Sequence, residues 1–69
     1  RAQALVGTTG TVTSPFVDEK YGMVHLRDRG GTLISVFCTT DEVPPIPRGE
    51  QVLLVSYDAT GKRYQVTRK

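Results

Sequence analysis

Cysteine occurs once in the 69 residues, at Cys38, and histidine once, at His25. A single cysteine excludes an internal disulfide and fits a reducing compartment. A metal site needs several N, S or O ligands converging. One His and one Cys on separate segments instead read as a residue on a half-exposed strand face and a small buried hydrophobe. No apolar run approaches the roughly 18 residues that span a bilayer, and no signal peptide is visible. No segment repeats apolar residues at i, i+3, i+4 and i+7 over about a dozen positions, so no helix of useful length is expected. Charge of one sign is also sparse. The net charge is +2, much of it in Lys62, Arg63, Arg68 and Lys69, with acids scattered elsewhere. A duplex-binding surface needs denser clusters of Lys and Arg.

What is present is β-branched residues punctuated by Gly and Pro, the pattern of several short strands. The length sets one domain, residues 1–69. A domain this short buries only about 60% of its unfolded surface, too little to wall off a deep reaction chamber, so no catalysis is expected. The chain begins at Arg1, close to a strand-like segment, as a fragment cut from a longer protein would.

A first strand is expected over residues 4–14, bent across two sheets at Gly7 and Gly10 and ended by Pro15. Residues 16–20 read as a loop. The second strand, residues 21–27, alternates, with Val24 and Leu26 on one face and Met23, His25 and Arg27 on the other. Gly30-Gly31 predicts a two-residue turn with both glycines at positive φ. The third strand, residues 32–38, is apolar on both faces, so its register stays open. Residues 39–50 hold Pro44, Pro45 and Pro47, which forbid a regular helix; Val43 and Ile46 form an apolar patch suited to capping a barrel end. The fourth strand, residues 51–57, puts Val52 and Leu54 on one face. Asp58-Ala59-Thr60-Gly61 is a hairpin loop with Gly61 in the left-handed position. The fifth strand, residues 62–67, puts Tyr64 and Val66 together. Five strands with a bending first strand predict an all-β fold, a small five-stranded OB-fold barrel, with an SH3-like barrel as the alternative.

The chemistry-bearing motifs are thin. Asp18-Glu19 and Asp41-Glu42 read as solvated loop charges. Ser14 and Ser35 have no histidine spaced to suggest a triad. Gly61-Lys62 runs into Arg63 and a strand instead of the Ser/Thr and helix of a P-loop. OB barrels bind single strands on the face of strands two and three, where His25, Arg27 and Phe37 would lie with Tyr21 at the edge, so a single-stranded nucleic-acid module is the alternative function. Phe37 fits core and platform equally from its pattern.

Three pieces in order, Leu5-Val6-Gly7-Thr8-Thr9-Gly10-Thr11-Val12, Gly22-Met23-Val24-His25-Leu26-Arg27-Asp28 and Ile46-Pro47-Arg48-Gly49-Glu50-Gln51-Val52-Leu53-Leu54-Val55, span most of the chain. Together they resemble the C-terminal domain of NfeD-type membrane proteins of bacteria, including the YqiJ-like branch. The resemblance implies an OB barrel following transmembrane helices, with a stomatin, prohibitin or flotillin-like membrane scaffold protein as partner. It carries no catalytic residues and no cofactor. The Pro44-Pro45 loop and the longer loop at residues 16–20 depart from that pattern. The expectation is a non-catalytic interaction domain of a membrane-anchored parent, on the cytoplasmic side, with Phe16, Tyr21 and Val43 as candidate partner contacts.

Overall fold

The computed structural model describes residues 2–69; Arg1, the first residue of the expected domain, lies outside the described residues. A 3-10 turn, Ala2–Leu5, precedes seven strands: β1 Thr9–Val12, β2 Phe16–Val17, β3 Met23–Arg27, β4 Leu33–Thr39, β5 Ile46–Pro47, β6 Gln51–Asp58 and β7 Arg63–Arg68. Five of these close into a barrel in the order β1-β3-β4-β7-β6, with β6 pairing back onto β1. Every pairing is antiparallel except β4 with β7. Counted in chain order, the barrel strands run first, second, third, fifth, fourth, a Greek-key closure. The protein is therefore all-β, a small OB-fold-like barrel. Among the described residues no helix is long and apolar enough to cross a membrane.

Side-chain alternation decides which face of each strand is buried. Val24 and Leu26 of β3, Val52 and Leu54 of β6, and Tyr64 and Val66 of β7 point into the core. Each fully buried aliphatic side chain of this kind contributes roughly 1.5–3 kcal/mol. In β4, Ile34 and Val36 pack against the core and Cys38 lies inside it, leaving Leu33, Ser35 and Phe37 outside. That register is set by β3, through the pairs Val24↔Val36 and Leu26↔Ile34.

The first strand is shorter than the sequence pattern predicts. Ala4 and Leu5 lie in the 3-10 turn, closed by the Thr8 N–H donating to the Leu5 carbonyl at 3.0 Å. Gly7 takes φ 94°, a left-handed conformation that redirects the chain into β1. The four residues of β1 do not bridge two sheets as expected; they pair with β3 on one side and β6 on the other within the one closed barrel sheet.

The expected loop at residues 16–20 contains a strand. Phe16 and Val17 pair with Pro47 and Ile46 in a two-residue ladder. Val17 and Ile46, both 0% exposed, close one end of the barrel. Ile46 caps as its apolarity predicts, but Val43 does not; it is 87% exposed. Gly22 sits against this plug, where a Cβ would stand 2.6 Å from a Val17 methyl.

Two turns also differ from expectation. Only Gly31 of the glycine pair has positive φ. The loop spans Asp28 to Thr32, and the Asp28 carboxylate accepts from the N–H groups of Gly30 and Thr32, because an Asp side chain can stand in for a turn's own carbonyl. In the β6–β7 loop it is Lys62, not Gly61, that is left-handed, at φ 55°. At Gly61 an added Cβ would meet only side-chain ends, with Arg63 Nε at 2.9 Å, which the flexible arginine can give way to.

Candidate interaction cleft

The loop from β2 to β3 is organised by Asp18. Its carboxylate accepts from the backbone N–H of Lys20 at 2.8 Å and of Tyr21 at 2.9 Å. These hydrogen bonds favour the charged form and hold the carboxyl below its ordinary range. The Asp18 backbone N–H donates to the Tyr21 carbonyl, and its carbonyl accepts from Thr40 N–H. The loop is thus tied to the end of β4, and Tyr21 is thrown outward, 50% exposed.

Beside it stands Phe37 of β4, 54% exposed. The two ring centroids are 6.2 Å apart at an interplanar angle of 56°, an edge-tilted arrangement favoured by the ring quadrupoles. They border a cleft of about 290 Å³ whose other walls come from Lys20, Gly22, Gly61 and Arg63, with Cys38 at its base. Burial pushes the Cys38 thiol up to about 12, so it stays protonated. The Arg63 guanidinium joins the two flanking loops: Nε donates to the Gly61 carbonyl at 3.3 Å and Nη1 to the Lys20 carbonyl at 3.2 Å.

Of the three candidate contacts, Tyr21 lies in this cleft. Val43 lines a neighbouring hollow of about 360 Å³, reached past Lys20, which borders both. Phe16 is 47% exposed on β2, opposite Pro47, and lines neither. Pattern alone leaves Phe37 open between core and platform, because its strand is apolar on both faces; the pairing Met23↔Phe37 turns it outward. His25 and Arg27 lie on the same outer face, opposite Ser35 and Leu33. Arg27 is drawn to the hairpin tip, donating to the Gly31 carbonyl at 2.7 Å.

Glu42 is not the solvated loop acid expected of it. Its carboxylate accepts from the Thr67 hydroxyl, from the Arg68 backbone N–H and, at 2.9 Å, from the Arg68 guanidinium. The hydrogen bond from Thr67 leads the effects that lower its pKa. Arg68 also donates to the Pro44 and Pro45 carbonyls, so the proline loop is clamped onto β7. Among the described residues no three His, Cys, Asp or Glu side chains group as a metal site would require.

The chain matches no family model, no curated protein and no solved structure.

Proposed function

We propose that this barrel is a non-catalytic protein-interaction module, the water-facing part of a membrane-anchored NfeD-type protein. Its partner is a scaffold protein of the stomatin, prohibitin or flotillin type, met on the cytoplasmic side. The observation that carries the interaction role is the solvent-facing pair Tyr21 and Phe37 at the mouth of the cleft. Aromatic side chains held rigidly beside a pocket are the usual anchors of protein interfaces. The membrane context and partner class rest on the resemblance of the three sequence pieces.

The alternative is a single-stranded nucleic-acid binder. It is favoured by the cleft's position, between the loops joining first to second and fourth to fifth barrel strands, where OB barrels take oligonucleotides. The charge in that cleft argues for protein. Arg63 and Lys20 are the two cations lining it; two Arg63 donors are turned to the loop carbonyls of Gly61 and Lys20, and Lys20 lies near the Asp18 carboxylate. Backbone tracking of a nucleic acid needs more positive charge than this.

Titration of the domain against the soluble domain of a stomatin-type protein, followed by calorimetry, tests the reading. Saturable binding that falls at least tenfold in Phe37→Ala supports it. Absence of that binding, together with micromolar affinity for oligothymidylate that weakens steeply with salt, would replace it with the nucleic-acid reading.

A further inference from the structure

The cleft beside Tyr21 and Phe37 is uneven in charge, and the unevenness selects what fits it. Its lining holds two cations, Lys20 and Arg63, and no acid. Arg63 is fixed to both flanking loops, by Nε on the Gly61 carbonyl and Nη1 on the Lys20 carbonyl. Those bonds use two of the five N–H donors of a guanidinium. Both hydrogens of Nη2 and one of Nη1 meet no acceptor among the described residues. Asp58, opposite Arg63 in the β6–β7 ladder, does not take them. Its carboxylate accepts from the Thr60 N–H, and the one ion pair among the described residues joins Glu42 to Arg68. A guanidinium held in place with donors to spare suits a carboxylate, which it binds through paired hydrogen bonds. The side-chain ordering that such binding normally costs has already taken place. The hollow beyond Lys20 has the opposite sign. Asp18, Glu19, Asp41 and Glu42 line it, with Lys20 as its single cation, so an anion seated in the cleft is repelled from the next step along the surface.

We propose that the cleft takes an internal segment of the protein partner in which an Asp or Glu stands next to an apolar residue, with no second acid on the side of the hollow. The inference rests on the reading of the cleft as a protein-binding site and adds the chemistry of the bound segment. The apolar side chain lies against the Tyr21 and Phe37 rings, which are half exposed with centroids 6.2 Å apart, over Cys38 at the base. The carboxylate takes the open N–H groups of Arg63. The cleft, about 290 Å³, sits at the lower limit of the roughly 300–1,000 Å³ of small-molecule pockets and suits one such side chain and its neighbour. It leads past Lys20 into the acidic hollow, so the bound chain runs on, and the carboxylate belongs to a side chain instead of a chain terminus. The same hollow argues against a nucleic acid, whose charges repeat along the strand: its next phosphate would meet the acids there.

Titration of end-blocked hexapeptides into the isotope-labelled domain tests the inference, because amide chemical shifts report the site as well as the affinity. The peptide acetyl-Gly-Ser-Phe-Glu-Ser-Gly-amide is expected to move the amides of Lys20, Tyr21, Phe37 and Arg63, with a dissociation constant on the order of 1 mM. On the unaltered protein, replacing its Glu by Gln is expected to weaken binding about fivefold, and replacing its Phe by Gly by a similar factor. Arg63→Gln should bind the Glu and Gln peptides equally. A Gln peptide that binds wild type as tightly as the Glu peptide overturns the inference. So does a Glu peptide that moves amides outside the cleft, or one that shows no binding at about 10 mM. If the stomatin-type domain nevertheless binds and Phe37→Ala weakens it, the carboxylate preference alone falls; if that binding is absent too, the reading of the cleft falls with it. Oligothymidylate that moves the same amides more strongly than the Glu peptide overturns the inference in favour of a nucleic acid.

Discussion

Strands β4 and β7 touch along only two residue pairs, Cys38↔Tyr64 and Thr39↔Gln65, and the two flanks of that short seam are finished differently. Past Gln65, where β7 outruns β4, the Glu42 carboxylate takes the place of a strand, accepting from the Arg68 N–H and the Thr67 hydroxyl. Val17 and Ile46 seal one end of the barrel with side chains that see no solvent. Before Cys38, where β4 outruns β7, no strand lies beside Leu33 and Ser35 among the described residues, and Leu33, Phe37 and Tyr21 are half in water. A small barrel needs every buried contact it can make to stay folded. An apolar surface left uncovered in such a molecule is more economically explained by contact with another chain than by stability. The comparison predicts that substitutions at the sealed end cost folding, and that substitutions at the open flank cost association.

The largest effect is expected for Ile46→Ala. It removes a fully buried side chain of the plug, and such truncations cost about 2–5 kcal/mol. Against the roughly 3–10 kcal/mol of total stability usual for a chain of this length, urea denaturation should show a midpoint near the limit of folding. A smaller loss, about 1–3 kcal/mol, is expected for Gly22→Ala, whose methyl would press into Val17. If crowding is the cause, Val17→Ala should cost less in the Gly22→Ala background than alone. Simple additivity of the two losses would remove that explanation.

The parts of this fold that were legible in the sequence are those with a period. Val24 and Leu26, Val52 and Leu54, and Tyr64 and Val66 alternate with polar neighbours, and each pair lies inside as the alternation requires. Strand β4 has no such contrast, so the outward turn of Phe37 emerges only from its pairing with Met23. The plug was half legible: the apolarity of Ile46 pointed to a cap, but its partner Val17 did not, because a two-residue strand has no period and Pro15 and Pro47 beside it read as loop. Glu42 looked solvated because its partners, Thr67 and Arg68, are 25 and 26 residues away in the chain. The aromatic cleft was half legible, through Tyr21, which belongs to a loop whose Asp18 cap is local in sequence.

Glu42 also gives the comparison a pH dependence. Its folded-state pKa lies below the usual value of 4.5, so its contribution is fully present above the unfolded pKa and is lost as pH falls through the folded one. Asp18, lowered by the Lys20 and Tyr21 N–H groups, acts in the same direction. The melting temperature should be nearly flat above about pH 5 and fall at lower pH. Glu42→Gln should melt lower at neutral pH and show a shallower acid decline. A decline as steep as that of the wild type would mean that other carboxylates carry it.

The smallest change in stability is expected for Phe37→Ala. The ring is more than half exposed, and its one aromatic neighbour, Tyr21, is 6.2 Å away centre to centre. Such a pair contributes about 0.5–1.5 kcal/mol beyond area burial, and water recovers part of that on truncation, so the loss should stay below about 1 kcal/mol. The contrast with Ile46→Ala is the informative quantity, because both remove a large apolar side chain from the same small barrel. If Phe37→Ala unfolds the domain as readily as Ile46→Ala, then Phe37 is structural, and the open flank is a second core face with no role in association. If its urea midpoint is close to wild type while partner binding falls, the two flanks of the seam divide between folding and recognition.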